Sequence, residues 1–211
     1  MKIFIGGSRK LKNFGKLDDK FISLFYNDYI CPEYKFIVGD ANGADKVFQK
    51  ILNDKSIKDV TVYFSKKHGK RNKLNNKWKE ISVKSHRIMP TDFDERHVKD
   101  YQMVIDANMG IMYWNPHYIN RFDKDSISKG SILNIYNLLI SNKKCILFDE
   151  NTKNTIEMNK LNDLLDYLKK FYPNDFNKLN KIFHKECENF SEYKHSLKND
   201  LNDSAQLSLF F

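Results

Sequence analysis

Residues 35–52 read Lys-Phe-Ile-Val-Gly-Asp-Ala-Asn-Gly-Ala-Asp-Lys-Val-Phe-Gln-Lys-Ile-Leu, and this stretch decides the fold. Its apolar run Lys35–Val38 has the length and the continuous apolar character of a strand buried on both faces. After two glycines, apolar residues recur at helical spacing from Val47 to Leu52. The stretch therefore predicts a strand, a tight turn and a helix, which together are the repeating unit of an α/β fold.

The same alternation continues on both sides of this stretch. Four more apolar runs predict strands: Lys2–Ile5, Val60–Phe64, Gly110–Trp114 and Lys144–Phe148. Helical patterns lie between the strands, in residues 17–29, 98–105 and 132–139. We therefore predict an α/β protein with a Rossmann-like, doubly wound parallel sheet and right-handed crossovers, which occupies residues 1–150.

The chain changes character after Asp149. Residues 155–201 contain no strand signal, and Pro173 separates two helical patterns. We expect residues 151–201 to form a helical extension of the sheet domain. From Asn202 the sequence is polar, so residues 202–211 are predicted to be a flexible tail.

Composition limits the class of protein. The chain has 211 residues, of which 41% are hydrophobic and 30% charged, so neither a disordered chain nor a membrane protein fits. The first residues are too quickly polar for a secretion signal. Cys31, Cys145 and Cys187 are far apart and odd in number, which predicts reduced thiols in the cytoplasm. The histidines have no metal-ligand spacing, so no metal and no cofactor is predicted.

The net charge of +9 is concentrated in one segment. Nine basic residues lie between Ser65 and Arg87, where Glu80 is the only acidic residue. Such a segment attracts phosphates, although a solvated loop is the alternative interpretation. We expect a long, mobile loop here. The candidates for contacts with a nucleic-acid backbone are Lys66, Lys67, Lys70, Arg71 and Lys73.

Three turns at the carboxyl ends of predicted strands have unusual residues. In an open parallel sheet these ends carry the ligand site, at the point where strand order reverses. Glycines let backbone amides approach an anion, and basic side chains bind phosphate, whereas acidic ones suit ribose hydroxyls or acid–base chemistry. The alternative is that the turns serve structure alone. They are Gly6-Gly7-Ser8-Arg9, the loop Gly39–Asp45 with Asp40 and Gly43, and Ser128-Lys129-Gly130-Ser131.

The order of these motifs resembles the SLOG superfamily, in particular its YspA-like branch. The most distinctive element is Gly-Asp-Ala-x-Gly-Ala-Asp from Gly39 to Asp45, and Arg96-x-x-x-Asp100-x-x-Met103 continues the resemblance over residues 1–150. It implies a Rossmann-like fold that binds a nucleotide or a nucleotide-derived ligand. Relatives such as the LOG phosphoribohydrolases and nucleoside deoxyribosyltransferases cleave N-glycosidic bonds.

The resemblance implies that Arg96 and Asp100 point toward the pocket. The alternative is that the two residues form an ordinary ion pair on the surface. LOG-type enzymes place a glutamate after the glycine of the third turn, and this chain has none there. Asp40, Asp45 or Asp100 would have to stabilise the charge that develops on the sugar. Trp114, at the end of its strand, is expected either to stack on a base or to cap the core.

The carboxyl terminus has a separate motif. Gln206-Leu207-Ser208-Leu209-Phe210 resembles the peptide by which bacterial replication and repair proteins bind the DNA sliding clamp. A flexible tail with apolar anchors suits a preformed groove, and the alternative is a tail folded back on its own domain.

Three functions agree with these features. The favoured one is a nucleotide-binding protein recruited to the sliding clamp, which acts on nucleotides or DNA, with N-glycosidic cleavage or base exchange as its chemistry. The second is a sensor that sequesters a nucleotide signal without turnover and occupies the clamp. The third is a DprA-like protein that binds single-stranded DNA. No membrane partner is expected, and whether the chain forms a homo-oligomer stays open.

Overall fold

The computed structural model describes residues 1–12, 16–66, 72–83, 95–119, 122 and 125–207, without the side chains of residues 95, 96 and 198–207. In this part of the chain the strands are β1 (Lys2–Gly7), β2 (Lys35–Gly39), β3 (Val60–Ser65), β4 (Lys79–Val83), β5 (Met109–Trp114), β6 (His117–Ile119), β7 (Asp125–Ile127), β8 (Cys145–Asp149) and β9 (Asn154–Met158). The helices are α1 (Asp19–Asp28), α2 (Ala44–Asp54), α3 (Glu95–Asp106), α4 (Lys129–Ile140), α5 (Leu161–Phe171) and α6 (Pro173–Leu207).

The central sheet has seven strands in the order β4-β3-β2-β1-β5-β8-β9 among the described residues. All neighbours pair in parallel except β9, which is antiparallel to β8. The chain builds outward from β1 through β2, β3 and β4, and then returns to the other side of β1 with β5. The order therefore reverses between β1 and β5. The predicted α/β class with a Rossmann-like parallel sheet is confirmed.

Helices cover both faces of the sheet, because both faces of its inner strands are apolar. Along β1, Ile3 and Ile5 pack in the cluster that includes Phe21 of α1 and Phe48 of α2. Phe4, between them, belongs to the opposite cluster, together with apolar residues of α3, α4, α5 and α6. This alternation follows from the two-residue period of a strand. It explains why the inner strands read as continuous apolar runs.

The basic segment contains a strand that the sequence analysis did not predict. Lys79–Val83 forms β4 and pairs in parallel with β3 at the edge of the sheet. Trp78 is buried just before it, and its indole N–H donates to the Ile57 carbonyl oxygen at 3.0 Å. Charged residues are typical of edge strands, so β4 lacks the apolar run that marks inner strands. The expectation of one long loop from Ser65 to Arg87 was therefore wrong.

The carboxyl-terminal part also differs from its prediction. Asn154–Met158 forms β9, although no strand was expected in residues 155–201, because this edge strand alternates polar and apolar side chains. Helix α6 continues to Leu207, past Asn202 where the tail was expected to begin. Residues 208–211 lie outside the described part.

Among all described residues, no helix combines the length and apolar character needed to cross a bilayer.

Candidate functional site

A cleft of about 570 Å³ lies where the strand order reverses, and all three predicted turns line it. Gly7 and Arg9 come from the turn after β1, and Asp45 from the turn after β2. The third turn contributes all of Ser128–Ser131 at the start of α4. The cleft falls within the roughly 300–1,000 Å³ of ordinary small-molecule sites. The fold thus brings together segments that are far apart in the sequence.

Ser8 holds the first and third turns together. Its side chain is buried, and its Oγ accepts from the Asn115 backbone N–H at 2.9 Å. The same Oγ lies 3.1 Å from Ser128 Oγ and 3.4 Å from Ser131 Oγ. Ser8 does not line the cleft. It stabilises the cleft walls instead of contacting a ligand there.

Gly43 joins the second turn to the first. Its φ of +85° lies in the left-handed region, and a Cβ there would lie 2.5 Å from the Ser8 carbonyl oxygen. The next residue, Ala44, donates its N–H to that same oxygen at 3.1 Å. A side chain at position 43 would therefore separate the two turns. Neither Gly43 nor Ser8 was predicted in this bracing role.

A buried charge cluster lies beside the cleft, and its centre is Lys99 of α3. Lys99 Nζ lies 3.6 Å from Asp40 Oδ1 and 3.3 Å from Asp100 Oδ1. Gly39 leaves room for it, since a Cβ there would lie 2.9 Å from this nitrogen. Burial alone would lower the pKa of Lys99, but the charges of Asp100, Asp45 and Asp40 raise it above its ordinary value. Lys99 is therefore charged.

The three predicted carboxylates have different surroundings. Asp45 lines the cleft, and its Oδ2 accepts from the Ala41 N–H at 3.2 Å. Burial raises the pKa of Asp45 to about 6, against the opposing effect of Lys99. Asp100 also lines the cleft. Asp40 is 1% exposed and is not among the lining residues, so its part is to hold Lys99.

Asp45 can therefore exchange a proton near neutral pH. General acid–base catalysis is most effective when the pKa of the group lies close to the working pH. Asp100, beside it in the cleft, offers a second carboxylate that is a quarter exposed.

Gly6 was predicted to bind the ligand, but it is not among the residues that line the cleft. It packs against Asp45 instead, since a Cβ at position 6 would lie 3.3 Å from Asp45 Oδ1.

Several of the side chains that line the cleft are basic. Arg9, Lys10, Lys129 and Lys178 line it and are exposed. Among the described residues, none of the four has an ion-pair partner within 4 Å. Such cations attract an anionic ligand. Arg96 is the second residue of α3, and its side chain lies outside the described part of the chain.

The amino-terminal end of α4 adds backbone donors to this region. Ser128 is the N-cap residue of α4, but its side chain makes no capping hydrogen bond. Its Oγ contacts Ser8 instead. The first N–H groups of a helix have no partner within the helix, so these donors stay available to an anion beside Lys129 and Gly130.

Trp114 does not face the cleft. Its side chain is fully buried, and its indole N–H donates to the Ser128 carbonyl oxygen at 3.0 Å. Its ring meets Tyr172 edge-on at 5.1 Å between centroids. Of the two predicted roles, stacking on a base does not fit this position. Trp114 caps the core and positions the third turn.

Several lining residues were not predicted from the sequence. Lys99, next to the predicted Asp100, had no pattern that marked it as buried. Lys178 comes from α6, far in sequence from the motifs, and Tyr118 comes from β6, between Trp114 and the third turn. Only packing brings these elements to the cleft. His97 and Asn134 line it as well.

Part of the basic segment borders a second cavity of about 500 Å³, lined by Lys46 and Lys50 of α2 together with Lys73. The Lys73 ammonium pairs with Glu80. Lys66 follows β3, and its N–H donates to the Val83 carbonyl oxygen at 2.9 Å. The predicted nucleic-acid contacts Lys67, Lys70 and Arg71 lie outside the described residues.

The clamp-binding motif is only partly described. The backbone of Gln206 and Leu207 belongs to the end of α6, whereas Ser208, Leu209 and Phe210 lie outside the described residues. Within the described ranges, no group of three or more His, Cys, Asp or Glu side chains is placed to hold a metal ion.

Comparisons of the chain with protein-family models, with curated proteins and with solved structures found no match.

Proposed function

We propose that the chain is a SLOG-like protein that binds a nucleotide or a nucleotide-derived ligand in the cleft between β1 and β5. The observation that carries this proposal is the pairing of two chemistries in one cleft. A phosphate suits the basic side chains of Arg9 and Lys129 and the first backbone N–H groups of α4. The hydroxyls of a sugar suit the carboxylates of Asp45 and Asp100. A phosphorylated sugar carries both kinds of group.

The chemistry that best uses these residues is cleavage or exchange at the N-glycosidic bond. As the bond breaks, positive charge develops on the sugar, and a carboxylate beside it stabilises that charge. Asp45 and Asp100 are the carboxylates that line the cleft. With a pKa of about 6, Asp45 is able to hold or release a proton at this position.

Binding without turnover is the second candidate. Asn134 lines the cleft one helical turn after Gly130. An amide there supplies hydrogen bonds but no negative charge for an oxocarbenium-like state. This residue favours a protein that senses or sequesters a nucleotide.

A panel of nucleoside 5′-monophosphates, followed by calorimetry and by analysis of released free base, tests both candidates. We expect binding that weakens roughly tenfold or more in Arg9→Ala, because a charge-assisted phosphate contact contributes about 1.5–3 kcal/mol. If the chain is an enzyme, Asp45→Asn keeps binding and stops base release. Binding without release in the wild type supports the sensor, and no binding to any member of the panel contradicts the proposed function.

Recruitment to the DNA sliding clamp is part of the same proposal and is supported by the sequence Gln206–Phe210 alone. Leu207, Leu209 and Phe210 supply the apolar anchors that a preformed groove accepts. Calorimetry with a purified bacterial clamp, on the full chain and after deletion of residues 206–211, tests it. We expect binding that the deletion abolishes. Equal binding by both proteins, or none by either, contradicts recruitment through this motif.

A further inference from the structure

Strands β6 and β7 pair as a hairpin and contribute Tyr118, Ser126 and Ile127 to the lining of the cleft. Tyr118 and Ser126 are directly opposite one another in the antiparallel register. Residues paired in this way project from the same face of the two strands. Tyr118 and Ser126 therefore lie side by side at the cleft, and the Tyr118 ring is the larger of the two side chains.

The hairpin is held in place at its base. The Ser128 N–H donates to the Pro116 carbonyl oxygen at 2.7 Å and closes the hairpin. His117 lies between two carboxylates, with Nδ1 3.5 Å from Asp125 Oδ2 and Nε2 3.4 Å from Asp175 Oδ2. Because Asp175 belongs to α6, His117 connects the hairpin to the carboxyl-terminal helix. The backbone beside Tyr118 is thus fixed relative to the cleft.

The other apolar side chains that line the cleft offer little surface to a ligand. Phe4 and Met103 are each 1% exposed, and Ile127 is 4% exposed. Trp114 offers no surface on which a base could stack, because its side chain is fully buried. Tyr118 lines the cleft and is only partly buried, so part of its side chain is accessible to a ligand. Stacking of a base on an aromatic side chain contributes about 1–3 kcal/mol.

The geometry points to Tyr118 as the residue that recognises the base, which makes the ligand a nucleotide that still carries its nucleobase. This inference rests on the proposed function. The cations of the cleft take the phosphate, the carboxylates take the sugar, and Tyr118 supplies the flat apolar surface for the third part of a nucleotide. A sugar phosphate without a base leaves that surface unused.

The test compares adenosine 5′-monophosphate, uridine 5′-monophosphate and ribose 5-phosphate by calorimetry. We expect the wild type to bind at least one nucleotide about tenfold or more tightly than ribose 5-phosphate. In Tyr118→Ala that advantage is lost, while the affinity for ribose 5-phosphate stays the same. Tyr118→Phe keeps the ring and keeps the advantage. Circular dichroism checks that the variants fold.

The matched control is Tyr34→Ala, which removes a tyrosine that is partly buried like Tyr118 but lies just before β2 and does not line the cleft. We expect this variant to keep the preference for nucleotides. A preference that persists in Tyr118→Ala, or that is lost in Tyr34→Ala as well, overturns the assignment to Tyr118. Equal wild-type affinity for nucleotides and ribose 5-phosphate overturns base recognition, yet leaves sugar-phosphate binding in place. No binding of any of the three compounds overturns the proposed function itself.

Discussion

Replacing Lys99 with methionine is expected to lower the free energy of unfolding by roughly 3–5 kcal/mol at pH 7.5. Lys99 is 4% exposed and Asp40 is 1% exposed, so the substitution leaves a deeply buried carboxylate without its lysine partner. Breaking a buried ion pair on one side costs about this much, because the remaining charge stays desolvated. Urea denaturation followed by circular dichroism measures the loss.

The effect of Lys99→Met depends on pH in a definite direction. Burial raises the folded-state pKa of Asp45 to about 6 although Lys99 lowers it, so without the lysine the pKa of Asp45 rises further above its unfolded value. A carboxyl group of this kind destabilises the fold at pH values above its folded-state pKa, and the penalty shrinks as falling pH protonates it. The variant therefore recovers stability relative to wild type between pH 7.5 and pH 5.

Two further variants distinguish the loss of a buried ion pair from the loss of stability that removal of any paired lysine would cause. Lys99→Met combined with Asp40→Asn removes both charges and is expected to regain much of the stability. Lys35→Met breaks the exposed pair between Lys35 and Asp59, whose charged atoms are 3.0 Å apart, and is expected to change stability by about 1 kcal/mol or less. Equal losses in Lys99→Met and Lys35→Met would falsify the buried-cluster account.

Gly7→Ala is expected to cost about 3 kcal/mol or more, or to prevent the protein from accumulating in folded form. A Cβ at this position would overlap the Tyr113 carbonyl oxygen of the neighbouring strand and lie 2.9 Å from Ala44 Cβ. A backbone oxygen held in a parallel ladder is unable to move aside, so β1 and β5 would have to separate. That separation would also open the floor of the cleft.

Gly130→Ala is the matched control for Gly7→Ala. Both glycines line the cleft, and both substitutions add one methyl group. At Gly130 a Cβ would meet no heavy atom within 4 Å, and alanine is the better helix former. Thermal unfolding should therefore show no loss of stability. A Gly7→Ala protein as stable as Gly130→Ala would contradict the close packing of β1 on β5.

The inner part of the fold could be predicted from the sequence because its signals are local. Five apolar runs marked strands that lie inside the sheet, and the Gly39–Asp45 turn marked a strand followed by a helix. The edge strands β4 and β9 had no such signal. Their outward side chains are polar, since an edge strand needs neither two apolar faces nor a second neighbour.

The candidate site, too, could be predicted from the sequence only in part. That the three turns meet at one edge follows from parallel strands alone, since their carboxyl ends all point the same way. Which side chains face the cleft does not follow from it. Asp40 and Ser8 lie beneath the surface and brace the walls, whereas Asp45 lines the cleft a few residues away. A burial difference of this kind depends on how helix α3 packs against the turns.

Local pattern was sufficient for the α/β class, the parallel inner strands and the edge of the sheet at which the three turns meet, because strand period and turn chemistry are properties of neighbouring residues. The identity of the buried cation, the burial of Trp114 and the approach of Tyr118 and Lys178 to the cleft depend on packing. These features arise from contacts between elements distant along the chain, and no short stretch of residues records such contacts.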